Sequence, residues 1–531
     1  MKGRITGLLL AAALVPACGD GGGGGGGAAG GSGPGPAPYV PGVLFRADRE
    51  IAGGVEIYSA DLAGTTVVKL SGAQVAGGDV MSFAWSPDRR FVAFRADRDA
   101  DEVFELYVVS PSGGTPVKIS GPLVSGGGVY EFAWSPDSTR VAYRAWQDAQ
   151  GDSELYTSRP DGTGNVKVSG TLPPSSLGVS VLSGPAFAWA ADGSRVAYVA
   201  DQDTPFQQEL YTVLPDGTGN VKVSATPSND ILEFDWSPDG SRLAYVVPGS
   251  GTTLPLHTTL PTGPGGDVTV TTEMVNNVLT NWRWSPNGPR IAFKKDTAGV
   301  LELYTAFPDG TGSVKVSGTL VSGGNVGDYA WAPNGLRLAY VADQEVVQRF
   351  ELYTCPAASP GGDVKVSGAL VSGGDVSAFA WSPDSARIAY RANQESSGDL
   401  DLYTSPADTS AGNLRISERN PSQGNVGEFA WAPDGSRVAY VGDLNVRTLF
   451  ELYTALPTVR GNTRVNGPLA RNGSVWFFAW IPDSSRLVYS GDQEVDQLPE
   501  LYASLPTTAA GNVKLSGTRV PLGTFMEFAV R

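Results

Sequence analysis

Apolar positions along this chain come in short runs of a few residues, cut by turn residues and resumed at regular intervals. Phe379–Ala380–Trp381 is one such run. Ser382–Pro383–Asp384 breaks it, and Arg387–Ile388–Ala389–Tyr390 resumes it. Leu402–Tyr403–Thr404 and Leu414–Arg415–Ile416–Ser417 follow, separated by a polar gap. Trp381 has counterparts at Trp85, Trp134, Trp189, Trp236, Trp284, Trp331, Trp431 and Trp480, spaced by about 47 to 55 residues. That period holds four short strands and their turns.

The unit from Asp328 to Ser367 shows how the strands divide. Asp328–Trp331, Arg337–Val341, Phe350–Thr354 and Val364–Ser367 read as strands one to four, with Pro333–Asn334–Gly335 as the first turn. Proline supplies a fixed φ there, and Asn-Gly tolerates positive φ. In strands two and three the apolar residues occupy both alternating faces, Leu338 and Tyr340 against Ala339, and Leu352 against Tyr353. A strand apolar on both sides must be covered on both sides. Four-stranded antiparallel sheets packed face to face round an axis meet that demand, so the expected fold is an all-β propeller.

The repeated motifs Trp-Ser-Pro-Asp, Arg-Val/Ile-Ala-Tyr, Glu-Leu-Tyr, Pro-Asp-Gly-Thr-Gly and Val-Lys-Val-Ser resemble the TolB-like β-propeller repeat over residues 43–531. The resemblance implies a fold. About function it implies only a range: binding proteins, Tol-system components and accessory domains of peptidases. The α/β domain that precedes the propeller in TolB itself has no counterpart here. Nine complete units can be counted, with fragments at both ends. Residues 43–70 supply strands two to four (Val43–Arg46, Val55–Tyr58, Val67–Leu70), and Phe525–Val530 supplies a lone strand one. The fragments complement each other, which predicts one ring of ten blades closed through its ends, with no open sheet edge at the seam. Two smaller stacked propellers are the alternative.

The fifth unit, residues 234–281, is irregular. Its third strand reads Leu254–Pro255–Leu256–His257–Thr258, and a proline inside a strand calls for an edge position or a bulge. His257 is the single histidine of the protein and stands where other units carry tyrosine, such as Tyr211 and Tyr353, so it reads as a core substitution. With that histidine in a core position and no second one, a Ser-His-Asp triad or a multi-histidine zinc site has nowhere else to form. No nucleophile elbow, phosphate loop or dinucleotide fingerprint occurs. No cofactor, metal site or catalytic set is therefore expected.

Residues 1–17 join a basic start (Lys2, Arg4) to an apolar run from Leu8 to Val15, the pattern of a signal peptide. Small residues before Cys18 resemble a bacterial lipobox, which implies lipidation of Cys18. Gly19 after it implies sorting to the outer membrane, with the protein anchored in the cell envelope on the periplasmic or surface side. Residues 18–40 are rich in glycine and form a tether of roughly 25 Å reach, leaving 41–531 for the propeller. Without Lys2 and Arg4, 36 basic residues face 54 acidic ones, a balance of −18 against −16 for the whole chain. Such a surface repels phosphate backbones, so nucleic acid is not an expected partner. With Cys18 taken by lipid, Cys355 is left unpaired, a buried or semi-buried thiol.

Residues present in nearly every unit do the same work in every unit. The arginine opening strand two (Arg140, Arg195, Arg337, Arg387) and the acid before Leu-Tyr (Glu105, Glu154, Glu351, Asp401) are therefore expected to lock turns or pair strands. Variation lies in the loops joining strands two and three, rich in acids: Asp97, Asp99, Asp101, Glu102, Asp201, Asp203, Asp343, Glu345, Asp492, Glu494 and Asp496. The loops entering strand one carry a short polar residue, Asp79, Asn325, Asp375 or Asn425, at the same end of the blade. This end is the candidate binding face. The expectation is a monomeric, lipid-anchored envelope propeller that binds an envelope protein or glycan without catalysis. The rival is a carboxylate-dependent hydrolase or lyase acting on a glycan or peptide in the channel. What would favour the rival is an inward acid that sister blades lack, and the units show no clear pair.

Overall fold

The structure is a computed structural model and describes residues 42–50, 54–148, 151, 153–173, 176–181, 184–225, 230–249, 253–275, 282–418, 424–517 and 525–530. The signal-like segment, Cys18 and the tether lie outside the described residues.

Among the described residues, forty strands form ten four-stranded antiparallel sheets, arranged as a single ring. Blade eight is representative. Its strands are Val376–Trp381, Arg387–Ala392, Asp401–Pro406 and Leu414–Arg415. Tyr390 stands opposite Tyr403 in the ladder, and the two rings stack at 5.6 Å. Strand four is only two residues long, shorter than the apolar pattern indicates. It is the outermost edge, and a short edge strand bearing a charged residue resists pairing with another chain.

The first blade is built from both ends of the described chain. Gly42–Ala47, Glu56–Asp61 and Val67–Lys69 form its outer three strands, and Phe525–Val530 pairs with Gly42–Ala47 as the innermost. Phe528 lies opposite Phe45, and Glu527 reaches Arg46 at 3.1 Å. The ring thus closes through its ends, and the two-ring alternative is excluded.

Each face of each blade is covered by a neighbour. Ten apolar clusters fill the ten junctions. At the closing junction Val43, Phe45 and Tyr58 of blade one pack on Ile481, Val488 and Leu501 of blade ten. The repeated tryptophan adds a directional bond. The indoles of Trp134, Trp189, Trp236, Trp331, Trp381, Trp431 and Trp480 each donate, at 3.0–3.3 Å, to a carbonyl of the preceding blade's innermost strand. The acceptor is always the residue just before that blade's own tryptophan, as in Trp431 to Ala380. A buried indole thus supplies apolar contact and a satisfied donor together.

Blade five departs from the pattern where the proline predicts it. Its third strand, Thr253–Leu260, pairs with a long fourth strand, Gly263–Val275, and the register shifts on either side of Leu256. The bulge accommodates Pro255, which has no amide to give to the ladder.

Deleting residues 524–531 removes Phe525–Val530, the strand that pairs with the inner edge of Gly42–Ala47. The truncated protein is expected to melt at a clearly lower temperature and to aggregate on heating, read by scanning calorimetry and light scattering. An unchanged melting curve would show that ring closure contributes nothing.

Candidate functional site

The repeated polar residues have structural partners, as their recurrence predicts. Glu105 accepts from the Tyr107 hydroxyl at 2.8 Å and from Lys118 on strand four at 2.9 Å. Glu351 does the same with Tyr353 and Lys365, both at 3.2 Å. Arg337 donates to Thr354 at 2.8 Å, and Thr354 donates to the Ala407 carbonyl of the next blade at 2.6 Å. Arg290, Thr305 and Ala357 form the same relay one blade earlier. His257 occupies the tyrosine position, opposite Tyr245 and stacked on it at 5.1 Å, with its Nδ1 near Thr269 and Asp267. Cys355 is fully buried, and burial pushes its thiol up to about 12, far from a reactive thiolate.

The predicted loop face is assembled, but the geometry gives most of its carboxylates internal work. Asp97, Asp201, Asp343 and Asp492 are buried. Each accepts from the backbone amide five residues on, Glu102, Phe206, Gln348 or Gln497, at 2.8–3.3 Å. Asp97 and Asp343 also accept from the amides of Asp79 and Asn325, bolting the two loop types together. Asp201 holds the amides of Leu177 and Gly178 in the same way. The short polar residues reach across blades. Asp79, Asn325, Asp375 and Asn425 accept from the amides of Val55, Leu301, Phe350 and Leu400 in the preceding blade, at 2.6–2.9 Å. A carboxylate accepting backbone amides is a strong, directional lock.

The remaining acids lie at the rim. Asp99 sits 3.4 Å from Arg98 and 3.5 Å from Lys118, and Asp203 lies 3.6 Å from Lys222. Glu345 pairs with Lys365 at 2.8 Å and Glu494 with Lys514 at 2.9 Å. Asp101 and Glu102 are exposed. Between these acids the loop tips are apolar. Phe206 in blade four is 62 % exposed, Val446 in blade nine 55 % and Val495 in blade ten 52 %, and Val346 and Val347 in blade seven are exposed as well. Attention to charge passed over these tips, although a valine or phenylalanine inside each Asp-started loop was there to be read.

A second site lies at the junction of blades five and six, and the sequence reading missed it. In the position just before the tryptophan most blades carry alanine: Ala84, Ala133, Ala188, Ala330, Ala380, Ala430 and Ala479. Blade five has Asp235 and blade six has Arg283. Trp282 likewise replaces the Phe or Tyr found two places before the tryptophan elsewhere. These residues, with Glu233, Trp236, Pro238 and Trp284, line a cavity of about 430 Å³. Aligning the repeats column by column would have exposed the exchange of alanine for a charge.

Asp235 is reached by solvent but crowded by protein, and loss of surrounding water pushes its carboxyl up to about 6. The Trp236 amide opposes that rise, and the charge of Glu233 adds to it. Arg283 turns the other way. It lies 3.2 Å from Asp328 of blade seven, donates to the Tyr329 carbonyl, and covers the Tyr329 ring at 5.1 Å. Among the described residues no group of three or more His, Cys, Asp or Glu is placed to hold a metal ion.

No family model matches the chain, and no curated protein matches it. Solved structures give likeness at low identity. A eukaryotic initiation factor is 11% identical, with 92% of this chain and 96% of that chain covered and a TM-score of 0.46. TolB from Acinetobacter baumannii is 17% identical over 52% of this chain and 63% of its own, with a TM-score of 0.27. An oligogalacturonate lyase in complex with manganese is 14% identical over 79% and 97%, with a TM-score of 0.35.

The raised carboxyl of Asp235 carries a sign that can be tested. Its ordinary value is near 3.8, so below that pH the group is neutral in both folded and unfolded chains. As pH rises towards 6 it ionises first in the unfolded chain, and the folded state loses stability. Asp235→Asn is therefore expected to raise Tm at pH 7.5, by a gain that shrinks as pH falls to 4.5, measured by scanning fluorimetry. Solvent screening keeps the gain small. A Tm lowered at pH 7.5 would mean that favourable contacts hold the carboxylate.

Proposed function

We propose that this chain is a non-catalytic binding module of a bacterial cell envelope, kin to the TolB-like repeat propellers. It is held at the outer membrane by lipid on Cys18 and a glycine-rich tether, and it engages an envelope macromolecule with the loop face. The observation that carries this reading is the build of that face. Buried aspartates lock the loop roots, while the tips project Phe206, Val346, Val347, Val446 and Val495 between rim carboxylates. Rigidly rooted loops with exposed apolar tips are where a scaffold presents a recognition surface. The acidic rim favours a partner with basic groups around an apolar contact, whose association weakens as salt rises.

The enzymatic rival gains one feature from the Asp235 cavity, an acid that sister blades lack. Its companion Glu233 lies two residues away on the same face of the same strand. Glycoside hydrolysis needs carboxyl groups flanking the scissile bond from opposite sides. The binding reading is the better supported.

A photo-reactive residue placed at Val347 or Val446 and activated in intact cells is expected to give a discrete adduct. The same residue at Leu336 or Val459, exposed elsewhere on the propeller, gives none. Adducts only at the latter sites, or none at all, would move the binding surface away from the loops. Cys18→Ser is expected to shift the protein from the detergent phase to the aqueous phase and to remove an acyl mass present in the wild type.

A further inference from the structure

Five blades carry a cation at one position of strand two, directly after the aromatic residue of the ladder: Arg46, Arg95, Arg144, Lys294 and Arg391. Each donates to a carbonyl of the next blade, that of Val80, Val129, Val179, Gly327 or Val426, at 2.8–3.3 Å. Four of the five have an acid. In blades one and three it stands directly opposite in the ladder, Glu527 against Arg46 and Glu131 against Arg144, at 3.1 and 3.7 Å. The charge of Asp328 acts on Lys294, and that of Glu428 on Arg391, each from the following blade. Blade two breaks the rule. The residue opposite Arg95 is Ser82, and among the described residues no carboxylate acts on this guanidinium. Burial, and after it the charge of Arg46, oppose its positive charge. A charge partly withdrawn from water without a counter-charge is costly, and its persistence calls for a reason.

The surroundings of Arg95 narrow what would complete it. Its Nη1 is taken by the Val129 carbonyl, and its Nε is closed to solvent, as in Arg46 and Arg144, so Nη2 is the edge left for a ligand. Phe104 covers one face of the guanidinium at 5.2 Å. Ser82, half-buried opposite, adds a hydroxyl that can donate. One guanidinium edge and one hydroxyl match the two oxygens of a single carboxylate. A dianion such as phosphate would leave a surplus negative charge between Glu527 and Glu131 of the flanking blades, and a cation would meet a like charge. Met81, next to Ser82 in the chain, is 42 % exposed, and Tyr130, next to Val129, is 38 % exposed. Blades seven and nine carry Gly327 and Gly427 in that place. Exposed apolar groups beside the cation suit an anion that carries carbon over chloride.

We propose that Arg95 and Ser82, between the inner strands of blades two and three, bind the carboxylate of a monoanionic ligand with an apolar body. The ligand takes the place that a glutamate fills in blades one and three. The site is independent of the loop-face reading, because it uses neither the loop tips nor the rim acids. A free acid and the end of a peptide chain present the same group, and the two are separated by the choice of probe.

The test titrates the full chain in nonionic detergent, by calorimetry, with phenylpropanoate and with acetyl-alanyl-phenylalanine. The amide of phenylpropanoate, acetate, chloride and phenylpropylphosphonate are the controls. Saturable binding of at least one of the two carboxylates is expected, and the tighter of them tells a free acid from a chain end. The amide should not bind, and the other controls should bind about tenfold more weakly or less. Arg95→Gln is expected to lower affinity about tenfold or more, the worth of a hydrogen bond between charged groups. Ser82→Glu, which supplies the acid that blades one and three already hold, should do the same and raise Tm slightly. Arg391→Gln, at the same position in blade eight, should leave affinity within about threefold. Melting curves establish folding, and if Arg95→Gln does not fold, Ser82→Glu decides. Failure of both carboxylates to bind, tighter binding of chloride, acetate or the phosphonate, or affinity indifferent to Arg95→Gln and Ser82→Glu would overturn the assignment.

Discussion

Everything in this protein depends on a sheet that is apolar on both faces. A blade such as Val326–Lys365 buries Leu338 and Tyr340 towards one neighbour and Ala339 and Leu352 towards the other. Alone it would expose two hydrophobic faces, and an open row of blades would expose one at each end. Burial is worth roughly 25 cal/mol per Å² of apolar surface, so the row is stable only as a closed ring. That constraint explains why the terminal fragments are complementary, and why Phe525–Val530 completes a blade begun nearly five hundred residues earlier.

The same need for closure governs the polar groups. Loops between blades carry backbone amides that the sheets cannot satisfy, and a buried unpaired amide costs about as much as a lost hydrogen bond. Asp97, Asp201, Asp343 and Asp443 meet those amides within a blade. Asp79, Asn325, Asp375 and Asn425 meet them between blades. With the roots fixed, the tips beyond can change sequence at little cost in stability. Variation and rigidity in one loop are consequences of the same arrangement.

The fold was legible because the repeat multiplies a weak signal. Strand one of the first blade was read as Phe525–Val530 and is found there. The bulge at Pro255 follows from proline chemistry, and the structural role of His257 follows from its column. The candidate face was legible only in part. Position placed Asp343 and Asn325 at the same end of the blade, but an aspartate that caps an amide five residues away looks in sequence like one offered to a partner. Burial separates Asp343 from Glu345, and burial depends on how the loop folds back. Asp235 escaped notice for another reason. It lies inside a strand, where period-two patterning directs attention to hydrophobic residues and a single charge reads as noise.

The junction of blades five and six shows how a repeat protein can host something unlike its repeats. Wherever a blade carries alanine before its tryptophan, the next blade can bring an indole against the carbonyl of that small residue, as Trp381 does at Ala330. A longer side chain at that position obstructs the approach when it faces the incoming indole. Arg283 avoids the conflict by turning towards Asp328, and Trp331 keeps its bond to the Arg283 carbonyl at 3.1 Å. Trp284, on the blade that follows Asp235, has no acceptor for its indole N–H. Blades five and six are therefore joined by their apolar cluster, around Trp282, Leu256 and Ile291, without the indole bond found at most other junctions. The ring tolerates the loss of this bond at more than one junction, since the Trp85 indole is also without a partner, and at the junction of blades five and six the loss coincides with an opening.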